Sequence, residues 1–272
     1  MTDKHERVVL VTGAAGGIGA AITRALIADG HSVAAVDRDA AGLERLAAIS
    51  PHLHPVMADL VSEAACLEAV ATTVARFGRL DAVINNAGIG VSSLRPDGET
   101  NLPRIEELSA EIWDRFFAIN VRAPMLITQA ALRHMRKGRF GRIVNNTTSF
   151  RTMLRVLPYG ATKSALESMS AIWANELDPD GITVNVLIPG GPTDTPFISD
   201  GAGWDRAKML RPEIMGPPAC WLISEDAANY TGQRIIAAKW DASLPGMQAA
   251  AKAGRAIGWP ELGADAVWLQ SK

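Results

Sequence analysis

The chain has 272 residues, 48% of them apolar, and a formal net charge of −2. That apolar fraction fills a large core and excludes a disordered chain, while the near-neutral balance leaves no electrostatic footprint for nucleic acid or an anionic membrane. Cys66 and Cys220 lie far apart and outside any CxxC pair, which excludes a disulfide framework and a zinc knuckle.

In chain order, "RVVLVT" (7–12) reads as a buried strand and "GIGAAITRALIADG" (17–30) as a helix closed by Gly30. "SVAAVD" (32–37) is the next strand, followed by an alanine-rich helix through Ala48. "HPVMADL" (54–60) and "DAVINNAG" (81–88) continue the pattern, with a helix around 62–77 between them. A Gly/Pro/Ser-rich loop (89–103) leads to helices near 109–118 and 121–137. Strand "RIVNNT" (142–147), a helix from about 158 to 177, strand "TVNVLI" (183–188) and a last short strand at "RIIAA" (234–238) complete the alternation. Strands that are apolar throughout, separated by helices, predict a parallel sheet covered on both faces. Right-handed crossovers then give an α/β, Rossmann-type doubly wound sheet of about seven strands.

With no internal repeat or linker, residues 1–272 read as a single dinucleotide-binding and catalytic domain. Two stretches stand outside the alternation: 190–212, of which 194–212 reads as a lid, and the tail after Asp241, a C-terminal extension, 241–272. The apolar runs fall short of the roughly 18–20 residues of a membrane helix. The polar start, "MTDKHERVVLV", lacks the layout of a secretory signal, so a cytoplasmic protein without membrane contact is expected.

Directly after the first strand comes "TGAAGGIG", with Gly13, Gly16, Gly17, Ile18 and Gly19. Glycines here make a tight turn and let a pyrophosphate approach the N-terminus of the next helix, where free N–H groups and the helix dipole favour an anion. The second strand ends in Asp37, 18 residues past Gly19. A carboxylate there can bind adenosine ribose hydroxyls and repel a 2′-phosphate, which predicts NAD over NADP; Arg38 beside it argues the other way.

Over roughly residues 7–240 these motifs resemble the short-chain dehydrogenase/reductase family. The TGxxxGxG turn is at 12–19, and Asp59 with Leu60 in "ADL" matches the adenine-contacting segment after the third strand. "NNAG" (85–88), with Asn86, Ala87 and Gly88, resembles the cofactor-lining motif of the fourth strand. Asn120 in "NVRAP" matches the asparagine of the catalytic group, and "YGATK" is the YxxxK motif. "PGGPTDT" (189–195), with Pro189, Gly190, Thr193 and Thr195, resembles the segment that contacts the nicotinamide; which threonine does so is open.

Tyr159 and Lys163 are four apart and share a face if both lie on one helix. A free tyrosine, with a pKa of about 10, is a poor base at neutral pH, and bringing it near neutrality takes roughly 4 kcal/mol of preference for the phenolate. A cation beside it, with the positive nicotinamide ring, favours that form. Tyr159 would then take the proton of a substrate alcohol as hydride leaves for the cofactor. By resemblance, Lys163 also holds the nicotinamide ribose, and Asn120 holds a water linking the lysine to solvent.

The family usually places a serine pair after "GRIVN", the second serine polarising the substrate oxygen. Counting from Arg142 puts Thr148 at that place, with Ser149 as the neighbouring alternative and a site without a working hydroxyl as a third reading. Thr147 points away by strand alternation. Thr148 precedes Tyr159 by 11 residues, one or two fewer than is usual in the family, so the intervening loop is short. Threonine keeps serine's donor and acceptor set but stiffens χ1.

In a doubly wound sheet the ligand crevice lies beyond the carboxyl ends of the strands. That places Arg95, Phe150, Arg151, Met153, Leu154, Arg155, Phe197 and Trp204 at its border: a mostly apolar cleft with arginines either available to an anion or simply solvated. Three tryptophans in the last 33 positions, Trp240, Trp259 and Trp268, need burial on the same subunit or a neighbour, and a homo-oligomer (tetramer or dimer) is expected by resemblance. His5, His31, His52, His54 and His134 show no metal spacing, so no metal is expected. Taken together, the residues predict NAD-dependent interconversion of a secondary alcohol and a ketone, with hydroxysteroid, sugar, acyl-thioester and dihydrodiol substrates all open. The rival is a dinucleotide-holding module without turnover.

Overall fold

The computed structural model describes residues 6–263. Eight strands form one sheet: β1 (Val8–Thr12), β2 (Ser32–Asp37), β3 (Leu53–Met57), β4 (Ala82–Asn85), β5 (Gly141–Asn146), β6 (Ile182–Ile188), β7 (Gln233–Ile236) and β8 (Gly254–Ala256). Their spatial order is β3-β2-β1-β4-β5-β6-β7-β8, with the first seven parallel and β8 antiparallel to β7. The helices are α1 (Gly17–Ala28), α2 (Ala40–Ala47), α3 (Glu63–Phe77), α4 (Ala110–Phe117), α5 (Ala123–Gly138), α6 (Phe150–Met153), α7 (Tyr159–Leu177), α8 (Gly216–Leu222), α9 (Gly246–Ala253) and α10 (Pro260–Gly263).

Strand alternation explains the two cores. Val9 and Val11 of β1 pack with Ile22 and Leu26 of α1, Leu43 of α2, Leu222 of α8 and Ala253 of α9. Val8 and Leu10, pointing the other way, join Val70 of α3, Ile127 of α5 and Leu177 of α7. Because both faces are covered, the strands can be apolar at every position, which is what made them readable. From β1 the chain winds outward to β3 and then returns to β4 on the other side of β1. That reversal leaves a crevice beyond the carboxyl ends of β1 and β4, where ligands bind in open α/β sheets.

Three local features depart from expectation. Between α4 and α5 the chain does not break; residues Ala118–Arg122 form one π-helical turn, with Asn120 buried inside it. Such turns, with their i→i+5 bonds, recur at functional sites. The eighth strand comes from the extension: Gln233, Arg234 and Ile235 of β7 pair with Ala256, Arg255 and Gly254, covering an edge that would otherwise be open. Trp240 packs against Trp221 with ring centroids 5.5 Å apart, and Trp259 against Phe150, also at 5.5 Å. The described part of the extension therefore folds back on its own subunit; Trp268 and His5 lie outside the described residues.

The 194–212 segment is tied to itself. Arg206 donates to the carboxylates of Asp200 (2.7 Å) and Asp194 (2.8 Å) and to the carbonyl of Ile198 (2.8 Å), and Arg211 donates to Asp194 (2.7 Å).

Candidate active site

At the end of β1, Thr12 Oγ1 accepts the main-chain N–H groups of Asn86 and Ala87, each at 3.0 Å. Asn86 Nδ2 returns bonds to the carbonyls of Thr12 (3.0 Å) and Gly13 (3.2 Å). The glycine turn and the segment after β4 are thereby one rigid unit. Gly13 has φ +65°, and a Cβ on Gly19 would stand 1.9 Å from the Gly13 carbonyl oxygen, so the helix can approach the turn only with glycine there. No side chain caps α1, and Gly16, Gly17 and Ile18 all line a cleft of about 840 Å³ that runs over the sheet's carboxyl edge.

Asp37 also lines that cleft. Its Oδ2 accepts from Ala15 N–H (2.9 Å), and its Oδ1 accepts from Arg38 N–H (2.7 Å) and Asp39 N–H (3.1 Å). A carboxylate oxygen can take more than one donor, so a ribose hydroxyl can still bind. Asp59 and Leu60 lie in the same wall, with Asp59 Oδ1 accepting Val61 N–H at 3.1 Å. An uncapped helix N-terminus behind a glycine turn, followed by a fixed carboxylate, fits a dinucleotide's pyrophosphate and ribose.

At the inner end of the cleft, α7 carries Tyr159 and Lys163 one turn apart. Lys163 is 3% exposed, its Nζ donates to the Asn146 carbonyl (2.7 Å), and it lies 5.8 Å from the centre of the Tyr159 ring. Among the described residues no carboxylate pairs with it. Burial lowers its pKa from 10.5 to about 8. Burial also pushes the Tyr159 phenol up to about 12, and only its hydrogen bond with the Thr148 side chain works against that. The expected low tyrosine pKa is thus not a property of the protein alone. Desolvation dominates, and bringing it down requires positive charge beside the ring.

The three neighbouring hydroxyls have different partners. Thr147 Oγ1 turns to Glu167 Oε2 (2.7 Å), and Ser149 caps α6, accepting Thr152 N–H (3.1 Å) and lying 2.8 Å from Thr152 Oγ1. Thr148 lines the cleft and is the one of the three that favours the Tyr159 phenolate. Asn120, fully buried, has its side chain committed within the protein: Oδ1 accepts from Ile89 N–H (2.9 Å), and Nδ2 donates to Ile89 O (3.0 Å) and to the Thr162 hydroxyl (3.0 Å). It does not line the cleft, yet it reaches the same point as the lysine. A Cβ on Gly88 would lie 3.1 Å from Asn120 Oδ1 and 3.5 Å from Lys163 Nζ.

The glycine turn, the Tyr-Lys helix and the cleft joining them agree with what comparison with known proteins finds. Residues 7–202 match the family model for short chain dehydrogenase. The chain belongs to the short-chain dehydrogenase family. It is 37% identical over 250 residues to D-threitol dehydrogenase of Mycolicibacterium smegmatis, covering 85% of this chain and 90% of the relative. Its fold is similar to that of 3-ketoacyl-(acyl-carrier-protein) reductase from Brucella melitensis, solved with NADH, at TM-score 0.70 and 29% identity over 83% of this chain and 93% of the other. A blue fluorescent protein from a metagenomic library, solved with NADPH, matches at TM-score 0.70 and 30% identity, again over 83% and 93%.

Within this dehydrogenase the cleft gathers most residues singled out from the sequence. Ala87, Pro189, Gly190, Thr193 and Thr195 line it, whereas Gly19 stands behind the turn. Among the border residues, Arg151, Arg155, Phe197 and Trp204 line it, and the Phe197 and Tyr159 rings are 5.6 Å apart. Arg95 does not; it pairs with Glu107 at 2.8 Å. Phe150, Met153 and Leu154 are also outside the lining, Phe150 packing on Trp259 and Met153 buried. Two contributors were missed. Glu99 lines the cleft from the loop after β4. Glu167, 1% exposed, holds Arg234 Nε at 2.8 Å, and Arg234 Nη2 donates to the Thr148 carbonyl. The spacing of Tyr159, Lys163 and Glu167, each four apart, was the available signal for the second. Among the described residues no helix is long and apolar enough to cross a membrane, and no group of three or more His, Cys, Asp or Glu could hold a metal.

Proposed function

We propose that this enzyme interconverts a secondary alcohol and a ketone with NAD, using Tyr159 as acid and base. The observation that supports this most is the buried Lys163, without a carboxylate partner among the described residues, one turn from Tyr159 on α7 at the inner end of the cleft. Thr148 holds the substrate oxygen. Lys163 favours the phenolate, and Asn120 positions the Ile89 segment and α7 against one another. In oxidation the substrate hydroxyl proton passes to the Tyr159 oxygen while the carbon gives up its hydride; in reduction both return. NAD, when bound, supplies the hydride acceptor and a positive ring. Gly13, Gly16, Gly17 and Ile18 would hold its pyrophosphate, and Asp37 its ribose.

The test follows reduced-nicotinamide absorbance with NAD and NADP across secondary alcohols and ketones, small polyols included because a relative is a D-threitol dehydrogenase. Tyr159→Phe should lower kcat by about 10²–10⁴-fold while leaving cofactor affinity within about threefold. Equal turnover by wild type and variant would overturn the reading. A second reading, a dinucleotide-binding module without turnover, draws on the Tyr159 pKa of about 12 and the short 148–159 loop; cofactor binding with no turnover on any panel member would favour it. A homo-oligomer, dimer or tetramer, belongs to the same proposal. It is supported by Met125 of α5 and Ile172 of α7, both left exposed, and light scattering gives the mass.

A further inference from the structure

After β8 the extension turns back toward the reacting end of the cleft. Ile257 is buried against Val186 and Ile188 of β6, and its N–H donates to the carbonyl of Gly232 (3.1 Å). Gly258 and Trp259 follow with φ +75° and +54°. A Cβ on Gly258 would stand 3.0 Å from the Ala171 Cβ, so this reversal lies directly on α7. It delivers the Trp259 indole onto the Phe150 ring at the start of α6, with centroids 5.5 Å apart and planes tilted by 47°. A left-handed backbone is costly for a bulky side chain, and such outliers persist where the surrounding structure imposes them. Stability does not explain this one. Neither ring belongs to either core, and Phe150 keeps 43% of its surface exposed even with the indole against it.

What the contact does is close a clamp on α6. On its inner side α6 rests on the first turn of α7. A Cβ on Gly160, next to Tyr159, would stand 2.5 Å from Met153 O and 2.7 Å from Thr152 O, and Met153 is buried. Trp259 bears on the outer side through Phe150. The clamped stretch is the one that joins Thr148 to Tyr159, and it brings Arg151, Thr152, Arg155 and Val156 to the cleft. We infer that Trp259 is a positioning residue: through Phe150 it holds this wall of the cleft in place and so sets how tightly the alcohol substrate is bound. This rests on the alcohol-ketone reading of the site. The glycine turn is held by Thr12 and Asn86 and takes no part in the clamp, so the extension acts on the substrate and not on the cofactor.

The test uses the full chain and two independent readouts. The first is amide hydrogen exchange of the protein with NAD and no substrate, which needs no turnover. Trp259→Gly removes the indole and suits a left-handed backbone. It should speed exchange across residues 150–157 about tenfold and leave the 12–19 turn unchanged. The second readout is steady-state kinetics with NAD and the secondary alcohol that wild type oxidises fastest. In the same variant KM for that alcohol should rise about tenfold, with kcat and the KM for NAD within about threefold of wild type. Trp259→Phe, which keeps a ring, should recover most of both losses. Phe150→Ala should match Trp259→Gly, and combining the two should add little, because a single contact is lost either way. Unchanged exchange at 150–157, an unchanged KM, losses that add in the double variant, or a lower Tm as the sole effect would each overturn the inference. Failure of the dehydrogenase reading would show separately, as a wild type that oxidises no member of the panel, and exchange at 150–157 then decides whether Trp259 holds α6.

Discussion

The two ends of the cleft are built from different materials. At the dinucleotide end the groups that face the ligand are fixed by short polar side chains bonded to main chain: Thr12 Oγ1 and Asn86 Nδ2 stitch the glycine turn to β4, and three N–H groups hold the Asp37 carboxylate. At the reacting end they are fixed by side chains far apart in sequence, with Arg234 and Glu167 holding the strand end that presents Thr148. At the dinucleotide end one partner of each bond is main chain, so beyond the glycines the side chains that matter are Thr12, Asn86 and Asp37. Side-chain architecture fails when one member is lost.

The largest effect expected at the reacting end follows. Arg234→Met leaves Glu167, 1% exposed, as a buried charge with Thr147 as its remaining donor. Losing one partner of a buried pair costs about 3–5 kcal/mol, read as urea unfolding free energy. The same change frees the Thr148 carbonyl, and kcat should fall about tenfold to a hundredfold with cofactor affinity unchanged. Arg234→Met combined with Glu167→Leu separates the two losses: stability returns because no charge is stranded, while kcat stays low. Recovery of kcat in the double variant would show that the pair supports folding and not the placement of Thr148.

A further test of the reacting end uses pH. Lys163 has its pKa lowered from 10.5 to about 8 by burial. The unfolded chain therefore binds more protons than the native one between about pH 8 and 10.5, and stability rises with pH through that window. Below pH 8 the native state bears the full cost of a buried cation, on the order of 3 kcal/mol. Tyr159 acts with the opposite sign. Its raised pKa of about 12, against an ordinary 10, makes stability fall between about pH 10 and 12. Cys66 and Tyr230, both raised by burial, and Arg142, lowered by it, also titrate in this range, so the difference in unfolding free energy between wild type and Lys163→Met is the quantity to measure. That difference should rise between about pH 8 and 10.5; a flat difference would place the buried cation elsewhere.

The same contrast explains what could be read from the sequence. Strands covered on both faces announce themselves as predominantly apolar, β-branched runs, as in "VVLVT" and "ITVNVLI". Local spacing put Gly13 to Gly19 on a turn and Tyr159 with Lys163 on one helix face. What was not legible depends on partners distant in the chain. Arg234 and Glu167 are 67 residues apart, and nothing local marks them as a pair. Gly254–Ala256 has no strand propensity, and it is a strand only because β7 offers an edge. The π-turn at Asn120 keeps helical periodicity on both sides and so read as a break between helices. Glu99 looked like any acid in a polar loop, since burial of its oxygens is a property of the packed turn.

The smallest expected effect bears on the dinucleotide end. Asp37 has two possible duties there: holding the turn through the N–H groups of Ala15, Arg38 and Asp39, and accepting a ribose hydroxyl. Asp37→Asn separates them. It keeps one carbonyl acceptor for the turn but removes the charge that strengthens a ribose bond and repels a 2′-phosphate. If the carboxylate reads the ribose, NAD should weaken about tenfold and NADP should gain, so the ratio of kcat/KM values moves toward NADP. If it only holds the turn, both cofactors should weaken together and the ratio should stay fixed. In that case Arg38, which lines the same wall, becomes the group that decides between them. Arg38→Ala would then be the change that shifts the ratio.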